Sequence, residues 1–498
     1  MVDWARAQFA LTAIYHWLFV PLTLGLAVVM GIMETVYYRT GSEFWKKTAK
    51  FWQRLFGINF AMVVATGLIL EFEFGTNWSN YSWFVGDIFG APLAVEGIVA
   101  FFIESTFVAV MYFGWNKVSR GFHLASTWLT GLGATISAWW ILVANAWMQY
   151  PVGCEFNADT MRNEMVSFAE VALSPFAVSK FCHTVTSAWI IGGVFCVGVC
   201  CWYLLKKRET KMALESMKIG AAVGLVAAVL AAATGHKSAQ DVSEVQPMKL
   251  AAMEALYDGG TGQGLKIIEG IEVPYALSFM ATNDFNGYVP GINDLLNGYT
   301  RPDGMNEPSI DEKIEKGKQA IEALAAYRKS KAEGADEATL NSQLSRFTSN
   351  MQYFGYGYVK DKEQVVPPIA INFWAFRIMV GVGCLFILFF AIVLAGTYGF
   401  PKALWAKRDI TALPSWHYWV AIALIPLGYI ASESGWLVAE FGRQPWTIQD
   451  MLPTWVAVSD LHSSSVIITF FLFLILFSTM LAVEINIMLK QIKKGPEL

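Results

Sequence analysis

The segment FALTAIYHWLFVPLTLGLAVVMGIM (Phe9–Met33) decides the fold of this chain. It is longer than the ~20 apolar residues that a helix needs to cross a bilayer. The segment FCHTVTSAWIIGGVFCVGVCCWYLL (Phe181–Leu205) has the same character, and each segment holds one histidine, His16 or His183. Ionisable side chains are rare and costly inside a membrane and usually have a function. Imidazole is the commonest protein ligand of haem iron, and if the two histidines hold haem, this chain handles electrons in a membrane.

The overall composition agrees with this interpretation. Of the 498 residues, 55% are hydrophobic and only 15% are charged, whereas soluble domains are about 25% charged. The composition therefore predicts a protein that crosses the lipid bilayer several times. The net charge of −4 argues against a nucleic-acid partner. The first apolar segment is too long for a cleavable signal peptide, and we expect it to remain in the mature protein.

Nine apolar segments are long enough to cross the membrane, and lipid requires each to be helical because unpaired backbone groups are too costly there. They are residues 9–37, 52–72, 92–114, 124–148, 179–205, 216–235, 368–399, 413–440 and 463–487. The predicted fold is an all-α polytopic membrane protein with nine transmembrane helices. Helices one to six occupy 1–235, a long polar segment occupies 236–367, and helices seven to nine occupy 368–498.

Basic residues are concentrated in alternate loops. They are Arg39, Lys46, Lys47, Lys50, Arg54, Lys117, Arg120, Lys206, Lys207, Arg208, Lys211, Lys218, Lys402, Lys407, Arg408, Lys490, Lys493 and Lys494. By the positive-inside rule, the N-terminus is outside and the C-terminus is cytoplasmic. The polar segment is then external, and its composition predicts helices at Ser309–Lys331 and Ala335–Met351.

This topology places most members of a set of polar and potential haem-binding residues in the outer half of the membrane. They are His16, Glu96, Glu104, His183, Arg377, Met379, Glu440 and Arg443. Imidazole and thioether form a known axial pair for six-coordinate haem, so His183 and Met379 are chemically sensible ligands. The alternatives are a methionine that only packs and a histidine hydrogen-bonded across helices.

Two carboxyl groups, Glu96 and Glu104, lie on the third segment. An ideal helix separates them by about 80° and ~12 Å. They are either steps of one proton path or partners of a cation or of another subunit. For Arg377 and Arg443, composition favours anchoring at the interface over pairing with haem propionates. The remaining histidines are expected at the surface or the interface: His123, His236, His417 and His462.

Five motifs resemble subunit I of the cytochrome bd quinol oxidases across all nine segments and the first part of the polar segment. They are QFALTAIYHWLFVPLTLG (8–25), FGINFAMVVATG (56–67), FGTNWSNYSWFVGDIFGAPLAVEG (74–97), FRIMVG (376–381) and GRQPW (442–446). The resemblance implies two haems b and one haem d. The low-spin haem b would take His183 and Met379 as axial ligands. His16 and Glu440 would be ligands in the paired high-spin site, with His16 on haem d preferred but the reverse left open.

The resemblance implies further roles for single residues. Arg377 and Arg443 would stabilise the haems, and Trp436 would lie close to them. Glu96 and Glu104 would form an acidic pair near the high-spin site, with Ser137 and Glu104 in proton delivery. Lys249 and Glu254 would take part in quinol oxidation, in the longer variant of the family's external quinol-binding loop.

The function implied is quinol oxidation coupled to reduction of O₂ to water, which generates a proton motive force without a dedicated pump. The implied partners are a second subunit, small single-span accessory subunits, quinol and O₂, in the bacterial cytoplasmic (inner) membrane. His236 and Tyr257 replace an acidic residue and a tryptophan expected near the quinol, so ubiquinol and menaquinol both remain open. The residues alone also allow a proton-coupled transporter or a non-catalytic scaffold subunit.

Overall fold

A computed structural model describes residues 1–268, 270–399 and 410–496. Within these residues, nine helices are long and apolar enough to cross a membrane, which confirms the predicted number. We number them spans 1 to 9: Val2–Thr40, Glu43–Thr76, Asp87–Phe113, Arg120–Gln149, Pro175–Leu205, Thr210–Val245, Ile369–Tyr398, Ser415–Phe441 and Ser463–Lys494. The predicted basic residues Lys402, Lys407 and Arg408 lie outside the described residues.

The ends of the spans differ from the apolar segments that predicted them. Span 1 begins at Val2, and span 6 continues to Val245, past the predicted start of the polar segment at residue 236. The segments were bounded by hydropathy, but helical hydrogen bonding continues where the chain becomes polar. Val242 at this end of span 6 packs against Leu250 and Met253 of the next helix.

Shorter elements connect the spans. The helices and helical turns are Ser79–Val85, Phe168–Ala172, Pro247–Glu254, Ala276–Thr282, Ile292–Asn297, Ile310–Ala332, Glu337–Asn350, Met351–Tyr358, Lys362–Val365, Ile410–Ala412 and Thr454–Ala457. The described strands form antiparallel pairs: Cys154–Asn157 with Arg162–Met165, Gly260–Thr261 with Tyr288–Val289, Leu265–Ile268 with Ile271–Val273, Tyr299–Thr300 with Asn306–Glu307, and Trp446–Ile448 with Leu452–Pro453. Ile310–Ala332 and Glu337–Asn350 confirm the two helices predicted there.

Spans 1 and 5 are the most buried of the nine and form the centre of the bundle. A Cβ atom on Gly25 of span 1 would lie 2.6 Å from the Cα of Gly192 of span 5, and one on Gly193 would lie 2.8 Å from the Cα of Gly224 of span 6. Small residues of this kind let membrane helices approach closely. The glycines therefore bring the helices that carry His16 and His183 into direct contact.

One end of the bundle carries residues 246–368, and we name it the loop end. The opposite end, where the basic residues of the alternate loops lie, is the basic end. Connections at the loop end are tied together by hydrogen bonds. Ser459 Oγ donates to the Thr76 carbonyl oxygen at 2.6 Å, and Gln449 N donates to that of Met148 at 2.9 Å. These bonds hold the ends of spans 2 and 4 against the segment between spans 8 and 9.

Candidate haem and proton site

His183 lies near the loop end of span 5, whose start is fixed by Ser174, which caps the amide of Ala177. Its Nδ1 is 3.1 Å from the carbonyl oxygen of Ala231 in span 6. A carbonyl oxygen only accepts, so Nδ1 carries the hydrogen and Nε2 keeps its lone pair. A hydrogen bond donated by the other ring nitrogen is the usual way a protein orients a histidine that binds a metal.

Each of the two predicted axial ligands faces a glycine of a neighbouring helix. A Cβ atom on Gly235 of span 6 would lie 3.1 Å from His183 Cε1, and one on Gly435 of span 8 would lie 3.1 Å from Met379 Sδ. Side chains at these glycines would crowd the imidazole and the thioether. The glycines therefore keep the imidazole and the thioether free of contact with a neighbouring side chain, which suits two groups that would hold a haem.

His16 in span 1 has the same construction as His183. Its Nδ1 is 2.8 Å from Thr66 Oγ1, and that hydroxyl donates its own hydrogen to the Met62 carbonyl oxygen at 2.8 Å. Nδ1 is therefore the donor, and Nε2 again keeps a lone pair. A Cβ atom on Gly67 would lie 3.2 Å from His16 Cε1. Thr66 and Gly67 end the motif FGINFAMVVATG, which gives that motif a physical role.

Glu440 and Arg443 form a buried pair at the loop end of span 8. Glu440 accepts from Asn145 Nδ2 at 3.0 Å and from Arg443 Nη2 at 2.5 Å. Arg443 is only 5% exposed, so the expectation of an interfacial anchor was wrong. Its Nε and Nη1 are buried without a hydrogen-bond partner among the described residues. Buried unpaired donors need an explanation, and a carboxylate such as a haem propionate would satisfy them.

Two lysines, Lys249 and Lys180, lie close to this pair. Lys249 donates to Gln149 Oε1 at 2.9 Å, to Gln246 Oε1 at 3.3 Å and to the Ala439 carbonyl oxygen at 3.0 Å. Burial, followed by the charge of Lys180, holds the pKa of Lys249 well below its usual range. Lys180 was not anticipated from the sequence, although it stands three residues before His183 in an apolar stretch. An anionic neighbour would raise the pKa of Lys249 again and pair with the charge of Arg443, so the cluster favours anionic groups.

Trp436 links the helices of the two histidines to span 8. The ring centroids of Trp436 and Trp17 lie 5.1 Å apart, and the ammonium of Lys180 lies 5.5 Å from the ring centroid of Trp436. Trp17 also donates through Nε1 to Ser432 Oγ at 2.7 Å. Trp17 follows His16 in the sequence, so these contacts tie span 1 to span 8 beside the predicted ligand.

Arg377 uses all five of its N–H donors within the chain. It donates to Glu254 Oε2 at 2.6 Å and Oε1 at 3.3 Å, to the Met253 carbonyl oxygen at 2.6 Å, and twice to that of Lys266, at 2.5 and 3.0 Å. The expectation of an interfacial anchor was wrong here also, because Arg377 clamps span 7 to the helix Pro247–Glu254. Burial raises the pKa of Glu254 to about 7, while the charge of Arg377 opposes that rise.

The acidic pair of span 3 includes a third carboxyl group. Ser137 Oγ donates to Glu96 Oε1 at 2.7 Å, and the carboxyl of Glu71 is hydrogen-bonded to that of Glu96. A bond between two carboxyl groups requires a shared proton. The sequence offered a signal for Glu71, which stands inside the apolar segment 52–72, but it was not singled out.

A π-helical turn, Glu96–Ala100, changes the geometry of span 3. Such a turn adds one residue, so Glu96 and Glu104 are separated by about 20° of rotation rather than about 80°. The ideal-helix expectation was wrong, and the two groups lie on nearly one face. Glu104 is buried beside Gly133 of span 4, where a Cβ atom would lie 2.7 Å from Glu104 Cγ.

The other four histidines differ in burial: one is buried, one is exposed and two are intermediate. His123 was expected at the surface or the interface but is 3% exposed, with Nδ1 2.6 Å from Glu34 Oε1. The hydropathy at the start of span 4 did not reveal this partner on span 1. His462 is exposed, and His417 is partly exposed beside the Pro414 carbonyl oxygen. His236 is half-buried and bonds to Asn283 Oδ1 at 2.9 Å.

The model of the family described as "Cytochrome bd terminal oxidase subunit I" matches residues 4–496. The chain belongs to this family. It is 41% identical to cytochrome bd-II ubiquinol oxidase subunit 1 of Escherichia coli (strain K12), over all of this chain and 97% of that protein. It is 35% identical to cytochrome bd ubiquinol oxidase subunit 1 of Bacillus subtilis (strain 168), over 99% of this chain and 94% of that one.

The fold of this cytochrome bd subunit I is also found in a solved structure. The bd oxidase from Geobacillus thermodenitrificans matches with a TM-score of 0.78 at 22% identity, over 99% of both chains. The described part of this family member contains nine apolar helices, and the protein is a multi-pass protein of the bacterial inner membrane. The alternative of a proton-coupled transporter has no support from the relatives.

Proposed function

We propose that this subunit of cytochrome bd oxidises quinol and delivers the electrons to O₂, forming water. The relatives named ubiquinol oxidase support the reaction. The observation that carries the proposal is the matched pair of histidines in spans 1 and 5. In each, Nδ1 is hydrogen-bonded within the bundle and Nε2 retains the lone pair that iron requires.

We propose that the chain holds two haems b and one haem d. His183 and Met379 would be the axial ligands of the low-spin haem b. His16 and Glu440 would serve the high-spin pair, with His16 on haem d preferred. When bound, the haems supply electron transfer and oxygen reduction, while the chain supplies ligands, spacing and proton access. The unpaired donors of Arg443 support a propionate there, whereas a propionate on Arg377 would have to displace one of its present bonds.

We propose that quinol reacts at the loop end, under the segment 236–367. Lys249 and Glu254 support this because both are buried on the short helix Pro247–Glu254 above the cluster of Glu440 and Arg443. A lysine and a carboxyl group whose pKa values are shifted by burial towards neutrality suit proton exchange with a quinol. The quinol protons would leave to the outside.

The protons for water would come from the cytoplasm, which the positive-inside rule assigns to the basic end. Glu104, Glu96 and Ser137 would carry them along spans 3 and 4, with Glu71 as the carboxyl hydrogen-bonded to Glu96. Uptake on one side and release on the other would generate a proton motive force without a dedicated pump. The N-terminus would be outside and the C-terminus cytoplasmic.

A second subunit and small single-span accessory subunits are the proposed partners. Spans 3 and 9 support this, since both expose large apolar side chains such as Phe102 and Ile475 that need lipid or protein cover. The division into helices 1–235, an external quinol-binding loop 236–367 of the long variant, and helices 368–498 is part of the same proposal.

The test is a reduced-minus-oxidised visible spectrum of the purified complex, recorded with quinol-dependent oxygen consumption. The proposal predicts low-spin b, high-spin b and d signals that are reduced by quinol and reoxidised by O₂. A well-folded complex that contains no haem would refute the proposal. A haem-free complex that moves a solute with protons would instead favour a transporter.

A further inference from the structure

A buried Glu–His pair at the basic end has no part in the function proposed above. Glu34 of span 1 is 1% exposed, and its Oε1 lies 2.6 Å from Nδ1 of His123 in span 4. Glu34 Oε2 accepts from Thr127 Oγ1 at 2.5 Å and from Gln53 Nε2 at 2.9 Å. Four polar residues from spans 1, 2 and 4 thus meet in the interior.

The hydrogen-bond partners determine how many protons the pair holds. His123 Nε2 lies 3.0 Å from the Met111 carbonyl oxygen, which only accepts, so Nε2 carries a hydrogen. Oε2 of Glu34 already accepts two bonds, from Thr127 and Gln53, so it carries none. One proton therefore lies between Nδ1 and Oε1, and this bond can pass it from the imidazole to the carboxyl.

The pair stands near the aqueous end of the bundle. His123 is in the first turn of span 4, and the ring of Trp115 in the preceding connection lies 4.0 Å from the imidazole. The ammonium of Lys50 lies 5.2 Å from the ring of Trp115. Trp115 also donates to Gln53 Oε1 at 3.0 Å, so it covers the network at this end.

A line of hydroxyl groups, two of them fully buried, leads from this pair towards Glu104. Thr127, Thr130 and Ser137 follow His123 on one face of span 4, at spacings of four, three and seven residues. Thr130 is fully buried, and it donates only to the Ser126 carbonyl oxygen of its own helix, at 2.9 Å. The rise from Thr127 to Thr130, and from Thr130 to Gly133 beside Glu104, is about 4.5 Å each.

We propose that Glu34 and His123 form a proton-loading site that supplies Glu104 from the basic end. This inference rests on the proposed function, which assigns Glu104 to proton delivery. Glu34 takes the shared proton from His123 on Oε1, and rotation of the carboxyl group then brings this oxygen to the hydroxyl of Thr127. Thr127 accepts the proton and gives up its own proton towards Thr130. The imidazole then regains a proton from the basic end, so the charge of the pair is restored after each transfer.

A purely structural ion pair is the competing explanation, because buried pairs also join helices. Thr130→Val separates the two explanations, since it removes one hydroxyl from the line and leaves the Glu34–His123 pair intact. Thr48→Val in span 2 is the matched control. Thr48 is equally buried and also donates to a carbonyl oxygen of its own helix, that of Phe44 at 2.9 Å, but it is not in the line.

The assay uses the whole complex in proteoliposomes. The fully reduced enzyme is mixed with O₂, and proton uptake is followed with a pH dye while haem oxidation is followed optically. Thr130→Val and Glu34→Gln should each slow proton uptake about tenfold or more relative to Thr48→Val, with an unchanged reduced spectrum. The slowed step should also show a larger H₂O/D₂O rate ratio, which a structural defect would not produce.

Proton uptake in Thr130→Val at the rate of Thr48→Val would overturn the inference, even if Glu34→Gln fails to assemble. The outcome is distinguishable from failure of the proposed function. If Glu104→Gln slows proton uptake but Thr130→Val does not, only the loading site is wrong. If the unmodified complex binds no haem, the proposed function itself is wrong.

Discussion

Gly435→Ala offers a direct test of the thioether ligand, because the perturbation is one methyl group whose position is known. The added Cβ would lie 3.1 Å from Met379 Sδ. Comfortable contact between such atoms needs about 3.5–4.0 Å, so the sulfur must move by about half an ångström. A displacement of this size weakens a thioether–iron bond, and thioether ligation is what raises the potential of such a haem. We therefore expect a lower midpoint potential and partial loss of the low-spin signal.

The control is Gly381→Ala, two residues from Met379 on the same helix, where a Cβ atom meets no heavy atom within 4 Å. Replacing glycine by alanine inside a helix stabilises it by about 1 kcal/mol. A spectral change confined to Gly435→Ala therefore cannot come from a weakened helix. The assay is a redox titration followed in the visible region. Identical midpoint potentials and spectra for the two variants would refute the assignment of Met379.

Two further predictions concern carboxyl groups. Glu104→Gln should slow oxygen reduction about tenfold or more while the low-spin haem stays bound. The control is Glu484→Gln, which changes a buried carboxyl group of span 9 outside the proton path. Equal turnover of the two variants would remove Glu104 from the path. The pKa of Glu254 is raised to about 7, so its protonated form is favoured in the folded state, and the stability from this group is present at low pH and lost as pH rises through about 7. Between about pH 5 and pH 8, the wild type should therefore lose up to about 3 kcal/mol of folding free energy relative to Glu254→Gln. The measurement is the melting midpoint of both proteins as a function of pH. Parallel plots of the two midpoints against pH would show that the pKa of Glu254 is not raised.

Much of the architecture was predictable because lipid allows few choices. Apolar length alone identified the nine spans, and helical composition identified Ile310–Ala332 and Glu337–Asn350. The ends of span 6 and the π-helical turn at Glu96 were not predictable, since neither changes the hydropathy of the chain. The turn matters because it places Glu96 and Glu104 on nearly one face.

The site was predictable only where one residue carried the signal. His16 and His183 stood out as polar groups in apolar segments, whereas the glycines that leave room beside them did not. Arg443 was misinterpreted although its partner Glu440 is only three residues away. Arg377 and His123 were misinterpreted because their partners lie far away in the sequence. Glu254 and Glu34 show this, since each pairs with a residue on a different helix. Hydropathy cannot distinguish a buried ion pair from an interfacial charge.

The most direct test of the central claim, that His183 binds the low-spin haem and His16 the high-spin site, is the reduced-minus-oxidised visible spectrum of His183→Ala in the assembled complex. The low-spin b signal should disappear while the high-spin signals remain, because the Nε2 lone pair is lost only in span 5. Loss of the high-spin signals with an intact low-spin haem would contradict the assignment.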